Sequence, residues 1–381
     1  MRLLTKSGLG RDGPKPVAAA LKQLPFGSRK KALVLAGGGI TGFLYEIGIL
    51  TALDEVAGAP LSTEGFDIYV GTSAGSVAAS FLANGASPSK IYDAIANGEE
   101  GSPFFFRPKD ILGVAGGHAW RLVGQFTKAM FGSFGRALRS KHWPTAAQIL
   151  VDFQAHHPPG FYSTEALERT VCSRFTELGY RHHFSELRHE LYVTGTDIDT
   201  GEHLAFGDGD LRDIHICRAV AASCAIPIFF RPMRIGDRDV VDGAISEANP
   251  LEIAVAHGAY DILFLNPMVP IHNDRNRVCL PLDGGTCERL SEQGVGWIGE
   301  QTLRLMRAVN AETTLKCLSE QNPDLRIAQI QPDRHETPMF MHNAMSFETG
   351  TELLEYGRQS GLRFFRETTW PPIRAVIANQ G

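Results

Sequence analysis

One serine of this chain stands in a pattern that is typical of a reactive hydroxyl group. Residues 71–75 read Gly-Thr-Ser-Ala-Gly, a G-x-S-x-G centred on Ser73, between an apolar run and a run of small residues with helical spacing. A tight strand-to-helix turn strains the serine backbone and presents its Oγ, and the flanking Gly71 and Gly75 relieve the crowding. The new helix directs its first amides at the site, where they can stabilise negative charge. The alternative is a turn that only packs a helix on a strand.

A glycine-rich turn precedes this serine in the chain. Residues 37–42 read Gly-Gly-Gly-Ile-Thr-Gly, and spelled G-x-G-x-x-G they match the dinucleotide-binding fingerprint. That fingerprint needs an acid at the end of the next strand, but this strand ends at Gly71, and Asp67 lies near its beginning. The Gly-Lys-Ser/Thr of a Walker loop is also missing. In the other interpretation, the consecutive glycines expose backbone N–H groups close to the serine and form an oxyanion hole. A dinucleotide-dependent enzyme stays open as a more distant alternative.

The third motif is Val240-Val241-Asp242-Gly243-Ala244, with an acid at a predicted strand end. An Asp-Gly pair by itself usually marks a turn. The three motifs, in the order glycine turn, serine and distant aspartate, are more indicative of a shared site than any one of them alone. Strand ends of this kind gather on one edge of a parallel sheet, where open α/β folds place their sites.

The three motifs together resemble the patatin-like phospholipase family, whose pattern is a G-G-G-x-[RK]-G turn, a G-x-S-x-G elbow and a D-G-[GA] motif. Residues 221–227 and Asn249-Pro250 are similar to further family segments, and the resemblance runs from about residue 31 to about residue 265. It implies a Ser-Asp dyad, with Ser73 as nucleophile and Asp242 as general base. The implied oxyanion hole and supporting motif glycines are Gly37, Gly38 and Gly39, and Gly42, Gly71, Gly75 and Gly243. Thr41 departs from the pattern, since the family often has Arg or Lys there.

The thirteen histidines keep a Ser-His-Asp triad open as an alternative to the dyad. The histidines that follow Asp242, as the Ser, Asp, His order of α/β-hydrolases requires, are His257, His272, His335 and His342. The pairs at 156–157 and 182–183 have no carboxylate at helical spacing, which favours exposed polar residues over metal ligands. We therefore expect neither a metal nor a cofactor.

The elements that must position these residues alternate between strand and helix. Predicted strands lie at 32–36, 66–70, 191–196, 228–235, 240–241, 262–265 and 325–330, and predicted helices at 43–53, 77–82, 211–222, 251–257, 288–319 and 352–365. This order predicts an α/β fold of three α/β/α layers with a mainly parallel central sheet, similar to the patatin-like fold. The expected organisation is a basic tail at 1–30, a catalytic domain at 31–285 with an inserted segment at 103–145, and a mainly helical extension at 286–381 packed on the same domain.

Composition excludes several classes of protein and shows an uneven charge. At 381 residues, with 43% hydrophobic and 21% charged residues, the chain is neither disordered nor fibrous nor a disulfide scaffold. Its net charge of -5 argues against nucleic acid as a partner. Residues 1–31 nevertheless carry a net +7 and residues 103–145 a net +6, which leaves -18 elsewhere. The aromatic, basic segment at 103–145 suits a peripheral contact with an anionic membrane surface, or a lid whose aromatic side chains pack on the sheet.

The remaining predictions concern cysteines, localisation and activity. The six cysteines form no CxxC pair and no zinc spacing, so we expect free thiols in a reducing compartment. With no secretory leader and no apolar run of about 18 residues, the expected localisation is cytoplasmic and peripheral at membranes.

The predicted function is a serine lipid acyl hydrolase of the phospholipase A or esterase type that acts on membrane lipid. The alternatives are a lipid acyltransferase or thioesterase with the same dyad, and a lipid-binding module with a vestigial site.

Overall fold

The computed structural model describes residues 29–113, 159–246, 249–275, 289–292, 294–333, 339, 345 and 350–367. The strands are β1 (Lys30–Leu35), β2 (Ile68–Gly71), β3 (Gly160–Tyr162), β4 (Glu190–Asp197), β5 (His203–Phe206), β6 (Ile228–Phe230), β7 (Met233–Ile235), β8 (Arg238–Asp242), β9 (Ala259–Leu265) and β10 (Arg326–Ile330). The α-helices are α1 (Gly39–Ala57), α2 (Leu61–Glu64), α3 (Ala74–Ala83), α4 (Pro88–Ala96), α5 (Pro108–Ile111), α6 (Glu165–Leu178), α7 (Ile216–Ser223), α8 (Pro250–Ala256), α9 (Val295–Gln321) and α10 (Gly350–Glu367). Short 3-10 turns lie at Phe184–Glu186, Gly209–Leu211, Gly243–Ile245 and Leu290–Glu292.

The central sheet has the strand order β10-β9-β1-β2-β4-β8-β7, and β5 pairs with β4 off this path. The first five strands of that order are mutually parallel, whereas β4 pairs antiparallel with both β5 and β8. Strands β3 and β6 form a separate two-stranded parallel ribbon. The prediction of an α/β fold with a mainly parallel central sheet is confirmed.

Alternate residues of β1 separate the two hydrophobic layers of the core. Leu33 and Leu35 pack on the side of the sheet that carries α1, α3 and α10, whereas Ala32 and Val34 pack on the side of α8 and α9. Because side chains alternate along a strand, an uninterrupted apolar strand is buried on both faces. The predicted α/β/α layering follows directly from this pattern.

Helix α1 is buried around most of its circumference because α10 packs on the face opposite the sheet. The two helices approach so closely that a Cβ on Gly48 would lie 2.2 Å from the Leu354 carbonyl oxygen, and one on Gly357 would lie 2.4 Å from that of Tyr45. On the rim of this contact, Arg358 of α10 donates to Glu55 of α1 through Nε at 2.8 Å. Helix α10 therefore encloses the helix that begins in the glycine turn.

Two strand predictions need correction. The predicted strand at 228–235 is two strands, β6 and β7, because Pro232 cannot donate to a ladder and interrupts the run. The strand that ends at Asp242 runs antiparallel to β4, with Asp242 opposite Gly195. From the sequence we expect a parallel strand, because the ends of parallel strands gather on one edge of the sheet. Asp242 still reaches the carboxyl edge, because β8 enters from beyond that edge and stops there.

The expectation of free thiols is wrong for two cysteines, since Cys172 of α6 and Cys217 of α7 form a disulfide. Cys224 and Cys317 are free, and the other two cysteines, at 279 and 287, lie outside the described residues. The sequence gives no hint of this bond, because its partners are 45 residues apart and meet only when α6 packs on α7. His182 lies beside the two sulfur atoms, which are not available as thiolate ligands while they are bonded to each other.

Several predicted features lie partly or wholly outside the described residues. These are the tail up to residue 28, the inserted segment from residue 114 onward, and the histidines at 156, 157, 335 and 342. The described beginning of the inserted segment packs inward, with the Phe104 ring edge-on to Phe81 at 5.9 Å. Within the described parts of the chain, no helix combines the length and the apolar character that crossing a membrane requires.

Candidate active site

Ser73 occupies a strained turn between β2 and α3. Its backbone has φ 52° and ψ -130°, a conformation with positive φ that L-residues rarely adopt and that marks functional turns when the surroundings enforce it. The glycines of the motif permit the turn. A Cβ on Gly75 would lie 2.5 Å from the Leu35 carbonyl oxygen, and one on Gly71 would lie 2.5 Å from the Cα of Ser76. The predicted elbow is present, with these glycines where close backbone contact requires them.

Hydrogen bonds hold the backbone of Ser73 on both sides. Its N–H donates to the Ser223 hydroxyl at 2.8 Å, and its carbonyl accepts from the Ser76 amide at 2.8 Å and from the Ser76 hydroxyl at 2.6 Å. Ser223 is the last residue of α7, so a helix that ends 150 residues further along the chain supports the elbow. Ser73 is only 5% exposed, and it lines a cavity.

Asp242 lies next to Ser73, although 168 residues separate them. The Ser73 side chain lies beside its carboxylate, and the Ala244 amide donates to its Oδ1 at 2.8 Å. Burial raises the pKa of Asp242 to about 6, because a buried carboxylate loses its hydration; the Ser73 side chain, the Ala244 amide and the Arg307 guanidinium act in the opposite direction. The carboxylate is therefore ionised at neutral pH and more basic than an exposed aspartate.

The register between β4 and β8 brings the two motifs together. The Thr194 hydroxyl donates to that of Thr72 at 2.8 Å, and a Cβ on Gly243 would lie 2.1 Å from the same Thr194 oxygen. Thr194 therefore contacts the residue before Ser73 as well as the residue after Asp242. A larger residue at 243 would push the aspartate turn away from the serine.

The glycine turn leads into α1 beside the elbow. Gly37, Gly38 and Gly39 have positive φ values of 74°, 123° and 66°, and the Gly42 amide donates to the Gly38 carbonyl at 3.1 Å. Among the described residues, no acceptor takes the N–H of Gly38 or Gly39. The N–H of Gly37 is engaged, since it donates to Glu46 Oε1 at 2.9 Å.

Glu46 anchors this turn from within α1. The side chain is fully buried, and burial raises its pKa to about 8, with the Gly37 amide and the Arg307 charge acting in the opposite direction. Its Oε2 is also buried and has no partner among the described residues. The turn is thus held by a carboxyl group that has little contact with water.

An apolar cavity of about 200 Å³ opens directly on Ser73. Aliphatic and aromatic side chains form most of its wall, among them Ile40 and Phe43 of α1, Val77 of α3, Phe106, Leu167 and Phe230. Such a lining holds hydrocarbon and excludes water, as in the small-molecule sites of enzymes. The described beginning of the inserted segment contributes Phe105, Phe106 and Arg107 to this wall.

His257, the first histidine considered for a triad, lies at the opposite edge of the sheet. Its Nδ1 shares a hydrogen bond of 2.9 Å with the Tyr192 hydroxyl, and its Nε2 lies 3.5 Å from Asp208. Tyr192 and its neighbour Glu190 stand at the beginning of β4, whereas Ser73 follows the end of the parallel strand β2. The structure therefore brings Asp242, and not His257, to the serine.

Three contributors to the site carried no signal in the motifs. Ser223 lies in a stretch that resembles the family, but nothing marks its hydroxyl as the acceptor for Ser73. Glu46 is one acid within a helix, and only its complete burial sets it apart. Arg307 belongs to α9, beyond the part of the chain that the resemblance covered. Long-range packing was needed to identify all three.

A sequence model of the family described as patatin-like phospholipase matches residues 33–255. The chain belongs to that family. The resemblance drawn from the three motifs is thereby confirmed, and Ser73, Asp242 and the glycine turn all lie within the matched residues. The patatin-like match ends before α9 and α10, which complete the surroundings of the site.

Solved structures of bacterial proteins also show similarity to this patatin-like chain. VipD from Legionella pneumophila is 14% identical, with a TM-score of 0.39 over 88% of this chain and 66% of that one. The type III effector ExoU is 16% identical, with a TM-score of 0.33 over 91% of this chain and 53% of that one. The ExoU–SpcU complex of Pseudomonas aeruginosa is 17% identical, with a TM-score of 0.27 over 93% of this chain and 58% of that one. The chain thus spans between about half and two thirds of the length of these structures.

Proposed function

We propose that this protein is a serine hydrolase that cleaves acyl esters of phospholipids through a Ser73–Asp242 dyad and an acyl-enzyme. One observation carries the proposal: a strained serine that lies beside a buried carboxylate lines an apolar cavity. The family of the chain supports the same chemistry. The apolar lining of the cavity favours the acyl chain as the part of the substrate that enters the protein.

In the first step, Asp242 accepts the Ser73 proton as Oγ attacks the ester carbonyl carbon. The raised pKa of Asp242 favours this transfer, because a base is most effective when its pKa lies close to the working pH. The carbonyl oxygen becomes an oxyanion and accepts from the N–H groups of Gly38 and Gly39. Gly37 is left out of this role, since its amide already binds Glu46.

Collapse of the tetrahedral intermediate breaks the ester bond to the alcohol. The departing alkoxide takes the proton from Asp242 and leaves as the alcohol, and Ser73 keeps the acyl group. A water molecule then gives a proton to Asp242 and attacks the acyl carbon. Release of the fatty acid returns the proton to Ser73 Oγ, so that each step needs only the serine and the carboxylate.

Lipid reaches such a cavity most readily from an interface, and the surface beside it supports this approach. The β3–β6 ribbon flanks the cavity wall at Phe230 and exposes Phe161, Ile228 and Phe229, of which Ile228 is 73% exposed. Ile228 also has a positive φ of 74°, unusual for a β-branched residue. We include peripheral contact with an anionic membrane, through this ribbon and the basic segments, in the proposal.

We further propose that residues 31–285 and 286–381 form one catalytic unit. The packing of α10 on α1 and the approach of Arg307 to Ala244 support this organisation. Both contacts join the C-terminal helices to elements that carry site residues.

Product analysis on a mixed lipid extract tests the proposed activity. We expect the wild type to release free fatty acid and lysophospholipid and to react with a fluorophosphonate probe, and Ser73→Ala to do neither. Ser80→Ala is the matched control, because Ser80 carries a buried hydroxyl in α3, the helix that follows Ser73, and donates to the Val77 carbonyl. Transfer of the acyl group to another acceptor would identify a transferase, and an unlabelled wild type would identify a lipid-binding module.

Vesicle co-sedimentation tests the membrane contact separately. We expect stronger binding to anionic vesicles than to neutral ones, and weaker binding of an Ile228→Asp variant to both. Equal binding to the two vesicle types would remove the electrostatic part of the proposal.

A further inference from the structure

Arg307, a residue of α9, reaches the aspartate turn. Its Nη1 donates to the Ala244 carbonyl at 2.8 Å. The amide of the same Ala244 donates to Asp242 Oδ1, also at 2.8 Å. One residue therefore links the guanidinium to the carboxylate, with its carbonyl bound on one side and its amide on the other.

Helix α9 is fixed on both sides of Arg307, so this contact is built into the fold. Before it, Gln301 exchanges two hydrogen bonds with the Ile271 backbone at 2.9 and 3.0 Å, and Arg304 donates to the Val269 carbonyl at 3.0 Å. After it, Asn310 accepts from Asn249 at 3.2 Å. The backbone that carries Arg307 is therefore held against the loops that follow β9 and β8.

The charge of Arg307 faces both carboxyl groups of the site. The guanidinium attracts Asp242 and Glu46, and within the described parts of the chain it makes no ion pair at 4 Å or less. The buried Nε likewise has no described partner. The Arg307 charge also acts on His203, and the charge of Asp242 acts on the Cys224 thiol. The Arg307 charge lowers the pKa of Asp242, whereas the glycine turn has Thr41 where the family often has a cation.

We propose that Arg307 is the positioning residue of Asp242, which it serves by holding the Ala244 turn and by directing a positive charge at the carboxylate. The inference rests on the proposed dyad, because only a carboxylate that acts as a base needs its charge maintained near neutral pH. Arg307 itself touches neither the serine hydroxyl nor the acyl group. It acts through Ala244 and through its electric field.

The experiment compares Arg307→Met, Arg307→Lys and Arg304→Met with the wild type. Arg304 is the matched control, because it lies one turn away on the same helix and also donates through Nη1 to a loop carbonyl, but not to that of Ala244. The readouts are the pH profile of kcat/KM for a short-chain p-nitrophenyl ester, the melting temperature, and the NMR titration of the Asp242 carboxyl carbon.

For Arg307→Met we expect the carboxyl titration and the acid limb of kcat/KM to move upward by about one pH unit. At pH 7 the smaller ionised fraction alone should lower kcat about twofold, and the loss of the bond to the Ala244 turn should bring the fall to about tenfold, with KM changed less than about twofold. Arg307→Lys should show a smaller shift, since it keeps the charge but not the planar donors. Arg304→Met should melt at a lower temperature with its acid limb unchanged.

The inference is overturned if Arg307→Met titrates and reacts as the wild type does, or if Arg304→Met produces the same shift. The NMR titration gives this answer even for a protein without esterase activity. An inactive, unlabelled wild type would refute the proposed function, whereas an active wild type with an unshifted Arg307→Met would refute the role of Arg307 alone.

Discussion

The two edges of the central sheet each place a hydroxyl group beside an acid. At the amino edge, the Tyr192 hydroxyl shares a hydrogen bond with His257, which lies 3.5 Å from Asp208, the order of groups found in a triad. At the carboxyl edge, the Ser73 side chain lies directly beside Asp242. The order of the groups alone would favour the amino edge as the catalytic site, but the Tyr192 hydroxyl already donates its proton to a glutamate of its own strand at 2.9 Å.

Backbone strain and surroundings distinguish the two edges. Ser73 has a positive φ and opens on an apolar cavity, whereas Tyr192 lies in a regular strand and stacks on the His257 ring with a centroid distance of 4.1 Å. Burial and the neighbouring Glu190 raise the pKa of the Tyr192 phenol, which makes it a poorer proton donor. A reactive hydroxyl therefore needs an enforced backbone and an acyl-sized space in addition to a partner.

The largest difference is expected when each hydroxyl is removed in turn. Ser73→Ala should lower kcat by about 10⁴-fold or more, because the covalent step is lost. Tyr192→Phe should change kcat less than about twofold. Initial rates on a soluble ester measure both effects, and a loss of activity in Tyr192→Phe as large as that in Ser73→Ala would reverse the assignment of the two edges.

A second prediction uses pH to separate the carboxylate from the imidazole. Asp242 must be ionised to accept a proton, and its pKa is raised to about 6, so kcat/KM should fall about tenfold for each pH unit below this value. His257→Gln should keep the same acid limb, since this histidine lies at the other edge. Steady-state rates between pH 4.5 and about 8 test the prediction, and a limb that disappears in His257→Gln would contradict it.

A third, smaller effect is expected on stability. Because the folded state raises the pKa of Asp242 above its ordinary value, the ionised carboxylate disfavours folding above about pH 6, and this cost vanishes below about pH 4. Asp242→Asn keeps an acceptor for the Ala244 amide and should raise the free energy of unfolding at pH 7 by about 2 kcal/mol. Asp208→Asn, at an exposed position of the amino edge, should change it by less than about 0.5 kcal/mol.

Urea unfolding at pH 4 and pH 7 measures this third effect. The gain for Asp242→Asn should be present at pH 7 and absent at pH 4. A variant that is less stable than the wild type at both pH values would show that the carboxylate supports the fold, contrary to the prediction.

The local features of the carboxyl edge could be predicted from the sequence, since each depends on a short stretch of chain. The strained elbow follows from the glycines around Ser73, and the three layers follow from apolar strands that alternate with helices. The direction of β8 could not be predicted, because an isolated five-residue strand has the same pattern in either orientation. The Cys172–Cys217 bond and the contact of Arg307 with Ala244 depend on the packing of distant helices, which local patterns do not record.

The contact between α10 and α1 also bears on the order in which the protein is made. Helix α1 is translated before α10, which follows every other described element, yet α10 covers the outer face of α1. During synthesis, the apolar outer surface of α1 stays uncovered until about 300 further residues have left the ribosome. The helix that begins at the glycine turn is therefore enclosed late, and a nascent chain that stalls before α10 presents this surface to chaperones rather than a closed site to lipid.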